Sequence, residues 1–153
     1  MRRTTPFLGG TLAVFLALGV TGPADADQPT LTGTASVIDG DTLEIHGQRI
    51  RLFGIDAIES RQRCFLPDGT AWRCGTEAAN RLAERIGRRT VSCRQRDIDR
   101  YNRVVAVCEA GGEDLNAWMV ENGWAVAYRQ YSRNYVAAED RARRSKRGIW
   151  AAE

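Results

Sequence analysis

The sequence predicts an α+β domain that is mainly β, in which five short strands form a small Greek-key barrel. Three observations favour this fold. Residues 31–55 contain three strand-like runs separated by turn signals, residues 90–108 contain two more, and helical patterns lie between these groups and near the end of the chain. Short strands bounded by turn residues, with a helix between them, are typical of small barrels.

The first three strands are predicted as a meander. Leu31–Ile38 leads into the hairpin signal Asp39-Gly40, Thr42–Ile45 leads into Gly47, and Arg49–Ile55 follows. Each run is rich in β-branched or apolar residues and ends at turn chemistry.

Residues 56–75 show no periodicity and contain Pro67 and Asp68-Gly69, which predicts a long loop of the kind that is often functional. Thr76 is then expected to cap a helix that ends at Gly87. The apolar face of that helix contains Ala79, Leu82, Ala83 and Ile86.

Thr90–Cys93 and Val104–Cys108 are predicted as a strand pair. If their hairpin turns symmetrically about Asp99–Asn102, Cys93 lies directly opposite Cys108, and a disulfide between the strands is geometrically feasible. Asp114 is expected to cap a short helix, and a last helix is expected from about residue 134 to residue 147. Together these elements predict a barrel of the OB type.

The histidine and cysteine content excludes several chemistries. The single histidine, His46, excludes mechanisms that need two imidazoles and zinc sites with several histidines. The cysteines at 64, 74, 93 and 108 form no Cys-x-x-Cys motif, so disulfides are the better interpretation, with Cys64 paired to Cys74 and Cys93 to Cys108.

The first 26 residues have the layout of a secretory signal peptide. Arg2 and Arg3 precede an apolar run around Leu12–Leu18, and Ala24-Asp25-Ala26 resembles a cleavage site. A membrane anchor is the alternative, but glycines interrupt the apolar run well below the roughly 18 residues that a span requires. The interpretation is a leader at 1–26 and a domain at 27–153, exported to the periplasm or secreted, monomeric and without a membrane anchor after cleavage.

Charge is distributed unevenly along the chain. Residues 39–59 hold five acidic residues against two arginines, whereas residues 81–103 hold eight arginines against three acidic residues. Residues 129–147 hold seven basic residues against two acidic ones. An acidic centre within a basic frame suits metal-assisted cleavage of a phosphodiester, although each arginine-rich segment alone is also typical of a solvated helix face.

Arg51 stands in the middle of the apolar strand 49–55. Burying a guanidinium is costly unless a carboxylate or phosphate pairs with it, so Arg51 requires an anionic partner unless it faces water. Asp56 and Glu59 follow the strand, and Asp41 follows a hairpin turn that could bring it near Asp56. Asp39 is interpreted as a turn residue because it precedes Gly40.

Three blocks in order resemble the signature of the staphylococcal nuclease-like (thermonuclease) family. They are Ile38–Thr42, Arg51–Glu59 and Asp99–Arg103, and the likeness extends from about residue 31 to Trp150. The resemblance implies an OB-fold barrel with three helices and a calcium-dependent nuclease that cleaves DNA and RNA. Such a hydrolase acts with little sequence specificity, and single strands are the expected substrate.

The resemblance also implies a role for each matched position. Asp41, Asp56 and the backbone carbonyl of Ala57 would bind Ca²⁺, Glu59 would activate water, and Arg51 and Arg103 would hold the phosphate. Tyr128 and Tyr131 match a region in which the family stacks tyrosine on a base, and packing at the barrel edge is the alternative for each.

Two departures from the family pattern leave a second function open. Ala57-Ile58 replaces the usual threonine-proline, and Asn102 replaces a glycine. The loss of proline removes a restraint on the loop that aims Glu59, whereas asparagine tolerates positive φ better than most residues. A noncatalytic OB-fold protein that binds nucleic acid is therefore the alternative, and a secreted domain indifferent to nucleic acid is the third interpretation.

Overall fold

A computed structural model describes residues 28–152, and the predicted leader at 1–26 lies outside this range. The described chain forms eleven strands, three α-helices and a final 3₁₀ helix. The strands are β1 (Thr30–Gly33), β2 (Ala35–Asp39), β3 (Thr42–Ile45), β4 (Gln48–Leu52), β5 (Ile55–Ala57), β6 (Cys64–Phe65), β7 (Ala71–Trp72), β8 (Val91–Ile98), β9 (Val104–Ala110), β10 (Glu113–Asp114) and β11 (Ala125–Ala127). The helices are α1 (Cys74–Ile86), α2 (Leu115–Glu121) and α3 (Val136–Arg144), and the 3₁₀ helix is Gly148–Ala152.

The main sheet has the strand order β1-β8-β9-β4-β3-β2, with β10 paired to β9. All of its pairings are antiparallel except that of β4 with β9, which is parallel. The hydrogen-bonded path does not close into a ring, but β1 and β2 at its two ends are separated in the chain by Thr34 alone. The predicted first strand therefore corresponds to β1 and β2, which follow each other in the chain and lie at the two edges of the sheet. If these two are counted as one strand, the path has the five strands that were predicted, and the OB-type architecture is confirmed.

The cysteine register is confirmed, but the turn beyond it differs from the prediction. Cys93 lies opposite Cys108, and the two are bonded. A bulge between Gln95 and Asp97 then shifts the register by one residue, so that Asp99 N–H donates to the carbonyl of Arg103 at 3.0 Å. The turn therefore includes Arg103, because a bulge adds an unpaired residue to one strand that sequence symmetry does not reveal.

The helix boundaries agree only partly with the prediction. Helix α1 begins at Cys74 rather than after Thr76, and it ends as expected at Gly87. Asp114 caps α2 as predicted, since its Oδ1 accepts from the N–H of Ala117 at 2.9 Å. Helix α3 is shorter than the predicted 134–147. Among residues 28–152, no helix is long and apolar enough to cross a membrane.

The predicted loop at 56–75 contains structure that the sequence analysis missed. Strand β5 pairs with β11, and β6 and β7 form a small hairpin. The predicted bond between Cys64 and Cys74 closes this hairpin onto the start of α1. Two-residue strands carry too little periodicity to be recognised in a sequence.

Asn116 joins α2 to the barrel from a fully buried position. Its Oδ1 accepts from the N–H of Cys108 at 3.1 Å, and its Nδ2 donates to the carbonyls of Phe53 at 2.9 Å and Ala106 at 3.2 Å. The buried side-chain amide of Asn116 thus hydrogen-bonds to three backbone groups near the end of β4, where strand pairing no longer supplies every partner. The core around it is formed by apolar residues of the barrel strands, α1 and α2.

Candidate active site

The turn between β2 and β3 lies close to β5, which brings the acidic candidates Asp41 and Asp56 together. Asp41 lies in the turn between β2 and β3, while Asp56 and Ala57 lie in β5. Gly40 is buried at this crossing, and a Cβ on it would lie only 2.7 Å from the Cβ of Ala57. The absence of a side chain at Gly40 therefore permits the close approach of the two segments. Asp39 Oδ1 accepts from the N–H of Asp41 at 3.1 Å, in keeping with its predicted role in the turn.

The guanidinium of Arg51 bridges the two aspartates. Its Nη1 donates to Oδ1 of Asp41 at 2.9 Å, and its Nη2 donates to Oδ1 of Asp56 at 2.6 Å. The Arg51 side chain is 22% exposed. The strand arginine thus has the anionic partner that its position requires, and the same contact brings two carboxylates from different elements to one point.

Asp41 is buried, with several contacts that favour its carboxylate. Oδ2 accepts from the N–H of Ala57 at 2.9 Å, and Oδ1 accepts from the hydroxyl of Thr42 at 3.1 Å. Burial raises the pKa of Asp41 to about 6, although Arg51 and the Ala57 N–H act in the opposite direction. Positive charge nearby stabilises the ionised form of a carboxylate that is buried away from water.

The strand ladder determines where the carbonyl of Ala57 points. Tyr128 N–H donates to the carbonyl of Gly54, and pairs in an antiparallel ladder alternate, so Ala57 and Ala125 form a pair without mutual hydrogen bonds. The N–H of Ala57 accordingly points away from β11 to Asp41. In extended backbone the carbonyl of a residue projects to the same side as its N–H, so the Ala57 carbonyl also faces the side of Asp41.

Arg103 is held by Asp99, a residue whose role the sequence analysis missed. Nε of Arg103 donates to Oδ2 of Asp99 at 2.7 Å, and Oδ1 of Asp99 accepts from the N–H groups of Tyr101 and Arg103. Burial raises the pKa of Asp99, but these hydrogen bonds outweigh it and leave the pKa below its usual value. Asn102 has a positive φ of 60°, a backbone conformation that glycine adopts readily and that asparagine was expected to tolerate. The signal for Asp99 was its position at the start of a turn, where aspartate often accepts backbone hydrogen bonds.

Arg51 and Arg103 line one cavity of about 600 Å³. Tyr128 and Tyr131 line it too, with ring centroids 4.9 Å apart. Tyr101 is a further lining residue that the sequence analysis did not single out; it is 65% exposed and lies beside the guanidinium of Arg103. The cavity is therefore framed by guanidiniums and phenol rings, with both aspartates in contact with Arg51.

Glu59 is not among the residues that line this cavity. Its side chain is exposed, and within residues 28–152 its carboxylate forms no hydrogen bond or ion pair. Its backbone, however, is tightly held, because its carbonyl accepts from Gln62 N–H at 2.8 Å and packs against Gly75. The next residue, Ser60, accepts from the hydroxyl of Thr76 at 3.1 Å. The first turn of α1 therefore positions the segment that carries Glu59.

A family model described as a staphylococcal nuclease homologue matches residues 49–152. The chain belongs to the staphylococcal nuclease family. The matched range includes Arg51, Asp56, Glu59 and Arg103, so it contains the second and third of the three sequence blocks, while the block at Ile38–Thr42 precedes it.

Three curated proteins that are similar to this chain have different names. The succinoglycan biosynthesis protein ExoI of Rhizobium meliloti is 41% identical over 92% of this chain and 75% of its own length. A micrococcal nuclease of Shigella flexneri is 34% identical over 75% of this chain and 70% of its own length. An uncharacterized endonuclease of Haemophilus influenzae is 30% identical over 75% of this chain and 63% of its own length.

Proposed function

We propose that this staphylococcal nuclease family member is an exported, calcium-dependent enzyme that hydrolyses phosphodiester bonds of DNA and RNA with little sequence specificity. The coarser class, a hydrolase of the nuclease type, rests on the family match and on relatives named as nucleases. The observation that carries the proposal is the cavity lined by Arg51 and Arg103, together with the two carboxylates that converge on Arg51.

The donors around Asp41 suit a hard cation. Asp41, Asp56 and the carbonyl of Ala57 offer oxygen atoms only, as Ca²⁺ prefers, and a site with three protein ligands leaves positions for water and a phosphate oxygen. In residues 28–152 no group of three or more His, Cys, Asp or Glu side chains is arranged to hold a metal, and the proposed ligand set contains only two side chains. When bound, Ca²⁺ would polarise the phosphate and offset its growing negative charge.

The two arginines are assigned to the phosphate. A guanidinium donates two parallel hydrogen bonds to neighbouring phosphate oxygens, and this pairing strengthens as the transition state gains charge. Loss of either Arg51 or Arg103 should cost roughly 3–4 kcal/mol of barrier, or more than a hundredfold in rate, by analogy with one lost oxyanion donor. Glu59 is assigned to orienting or deprotonating the attacking water.

The tyrosines account for low sequence specificity. Every base presents an aromatic face, so stacking on Tyr128, Tyr131 or Tyr101 accepts any sequence and favours unpaired bases. The position of all three rings on the arginine-lined cavity supports a single strand of nucleic acid as substrate.

Export and a monomeric state remain part of the proposal. The leader pattern at 1–26 supports cleavage to a domain at 27–153, and two disulfides suit an oxidising compartment such as the periplasm or the exterior.

Degradation of single-stranded DNA and RNA by the oxidised chain tests the proposal. We expect cleavage with calcium, none with chelator, and cleavage slower by more than a hundredfold for Glu59→Gln or Arg103→Ala. Glu84→Gln, on the exposed face of α1, is the matched control and should cleave normally. Variants at Glu59 or Arg103 that cleave as fast as the wild type would refute the assigned site. A metal-replete wild type that binds the strand but does not cleave it would favour the noncatalytic binding protein.

A further inference from the structure

The segment 61–73, which we call the 61–73 hairpin, is held in one conformation although its strands are very short. A hairpin with two-residue strands is not stable by itself in water. Here the bond between Cys64 and Cys74 closes its base. At the tip, Leu66 N–H donates to Thr70 O at 2.9 Å and Thr70 N–H donates to Asp68 Oδ1 at 2.8 Å. The disulfide and these hydrogen bonds thus tie the hairpin together at its base and at its tip.

The surface of the 61–73 hairpin combines apolar and cationic side chains. Phe65 is 62% exposed and Leu66 is 37% exposed. Arg61, Arg63 and Arg73 are also exposed, and in the described part of the chain none of their side chains forms a hydrogen bond or an ion pair. The segment contains one acidic residue, Asp68, so its net charge is positive.

The register places two of these arginines at the same end of the hairpin. Cys64 pairs with Trp72, so Arg63 directly precedes one strand and Arg73 directly follows the other. Like charges at opposed positions repel each other. An anionic ligand between them would remove that repulsion.

The 61–73 hairpin adjoins Glu59. A Cβ on Gly75 would lie 1.8 Å from the carbonyl oxygen of Glu59, so the two backbones are in contact. The Cα atoms of Cys64 and Cys74 are 5.6 Å apart. With two further Cα steps of about 3.8 Å, the Cα of Phe65 lies within about 13 Å of that of Gly75. An OB fold engages about 4–16 nucleotides, so a strand that passes Glu59 is long enough to reach the hairpin as well.

We propose that the 61–73 hairpin is a second binding site for the nucleic-acid strand, separate from the arginine and tyrosine cavity. Arg63 and Arg73 contact phosphates, and Phe65 stacks on a base. This inference rests on the proposed function for the identity of the ligand. A strand is favoured over an anionic membrane because the hairpin lies against the segment that carries Glu59, where a phosphodiester chain must pass.

Binding of labelled single-stranded DNA, measured in chelator so that no cleavage occurs, tests this site. The variant Phe65→Ala/Arg63→Gln/Arg73→Gln should bind a 20-nucleotide strand about tenfold more weakly than the wild type, as expected for one lost stack and two lost phosphate contacts. Its slope of log affinity against log salt should fall by about 1.4, the value for two phosphates on a single strand. Binding of a dinucleotide, which fills the cavity alone, should not change.

The matched control removes two exposed arginines elsewhere, Arg88→Gln/Arg144→Gln. Arg88 follows α1, whose 13 residues separate it from the hairpin by about 20 Å. Equal affinities and slopes for the control and the hairpin variant would overturn the proposal. So would hairpin-dependent binding to vesicles of anionic phospholipid without any hairpin-dependent binding to DNA. A chain that binds DNA through the hairpin and never cleaves it would refute the nuclease proposal alone.

Discussion

The substitution Gly75→Ala tests whether the first turn of α1 positions Glu59. The new Cβ would lie 1.8 Å from the carbonyl oxygen of Glu59, whereas Cβ atoms essentially never approach closer than 3.0 Å. The backbones of Glu59 and of the first turn of α1 must therefore move apart by about 1.2 Å. A misplacement of about 1 Å at a reacting group can cost about 100-fold in rate, which corresponds to about 2.7 kcal/mol of activation free energy.

Steady-state kinetics on single-stranded DNA should show this loss mainly in kcat, because Arg51, Arg103 and the tyrosines of the cavity lie on elements other than α1 and the segment of Glu59. Alanine is a better helix former than glycine by about 1 kcal/mol, so local propensity does not explain a loss. Gly112→Ala is the matched control. Gly112 has φ 79° and open space around it, so alanine strains the backbone there without touching Glu59.

Thermal unfolding of both variants separates positioning from instability. We expect kcat of Gly75→Ala to remain low well below its Tm, while Gly112→Ala keeps the wild-type kcat. If Gly75→Ala retains kcat within twofold of wild type, the contact between α1 and Glu59 does not position the carboxylate, and the reasoning is wrong.

Three further predictions concern the barrel, the turn and the cavity. Asn116→Ala should lower the free energy of unfolding by about 2–4 kcal/mol in urea, because buried backbone groups lose their partner at about 1–3 kcal/mol each; an unchanged value would contradict the role of the amide. The pKa of Asp99 is lower in the folded protein than its unfolded value of about 3.9, so the ionised carboxylate stabilises the fold at pH values above 3.9. The difference in unfolding free energy between wild type and Asp99→Asn should therefore be present at pH 6 and shrink as the pH falls below 4. A difference that grows in acid would reverse this assignment. Tyr101→Ala should weaken strand binding by about 1–3 kcal/mol in an anisotropy titration, whereas an equal affinity would remove the ring from the binding surface.

Local sequence patterns were sufficient to predict most of the barrel. The hairpin signal at Asp39-Gly40, the cap at Asp114 and the opposition of Cys93 and Cys108 depend on residues close in sequence, and each is found in the structure. The bulge after Gln95 was missed because its cause is packing between strands. The 61–73 hairpin was missed because only a disulfide makes such short strands stable.

The sequence by itself determined the residue types of the candidate site, their order and the family to which the chain belongs, since motif spacing is a property of the chain alone. The tertiary structure decided how these groups meet. Arg51 bridges Asp41 and Asp56, and the Ala57 N–H donates to Asp41, only because β5 folds back across the turn at Gly40. Contacts of this kind join separate segments, and their geometry depends on backbone packing that no local pattern encodes.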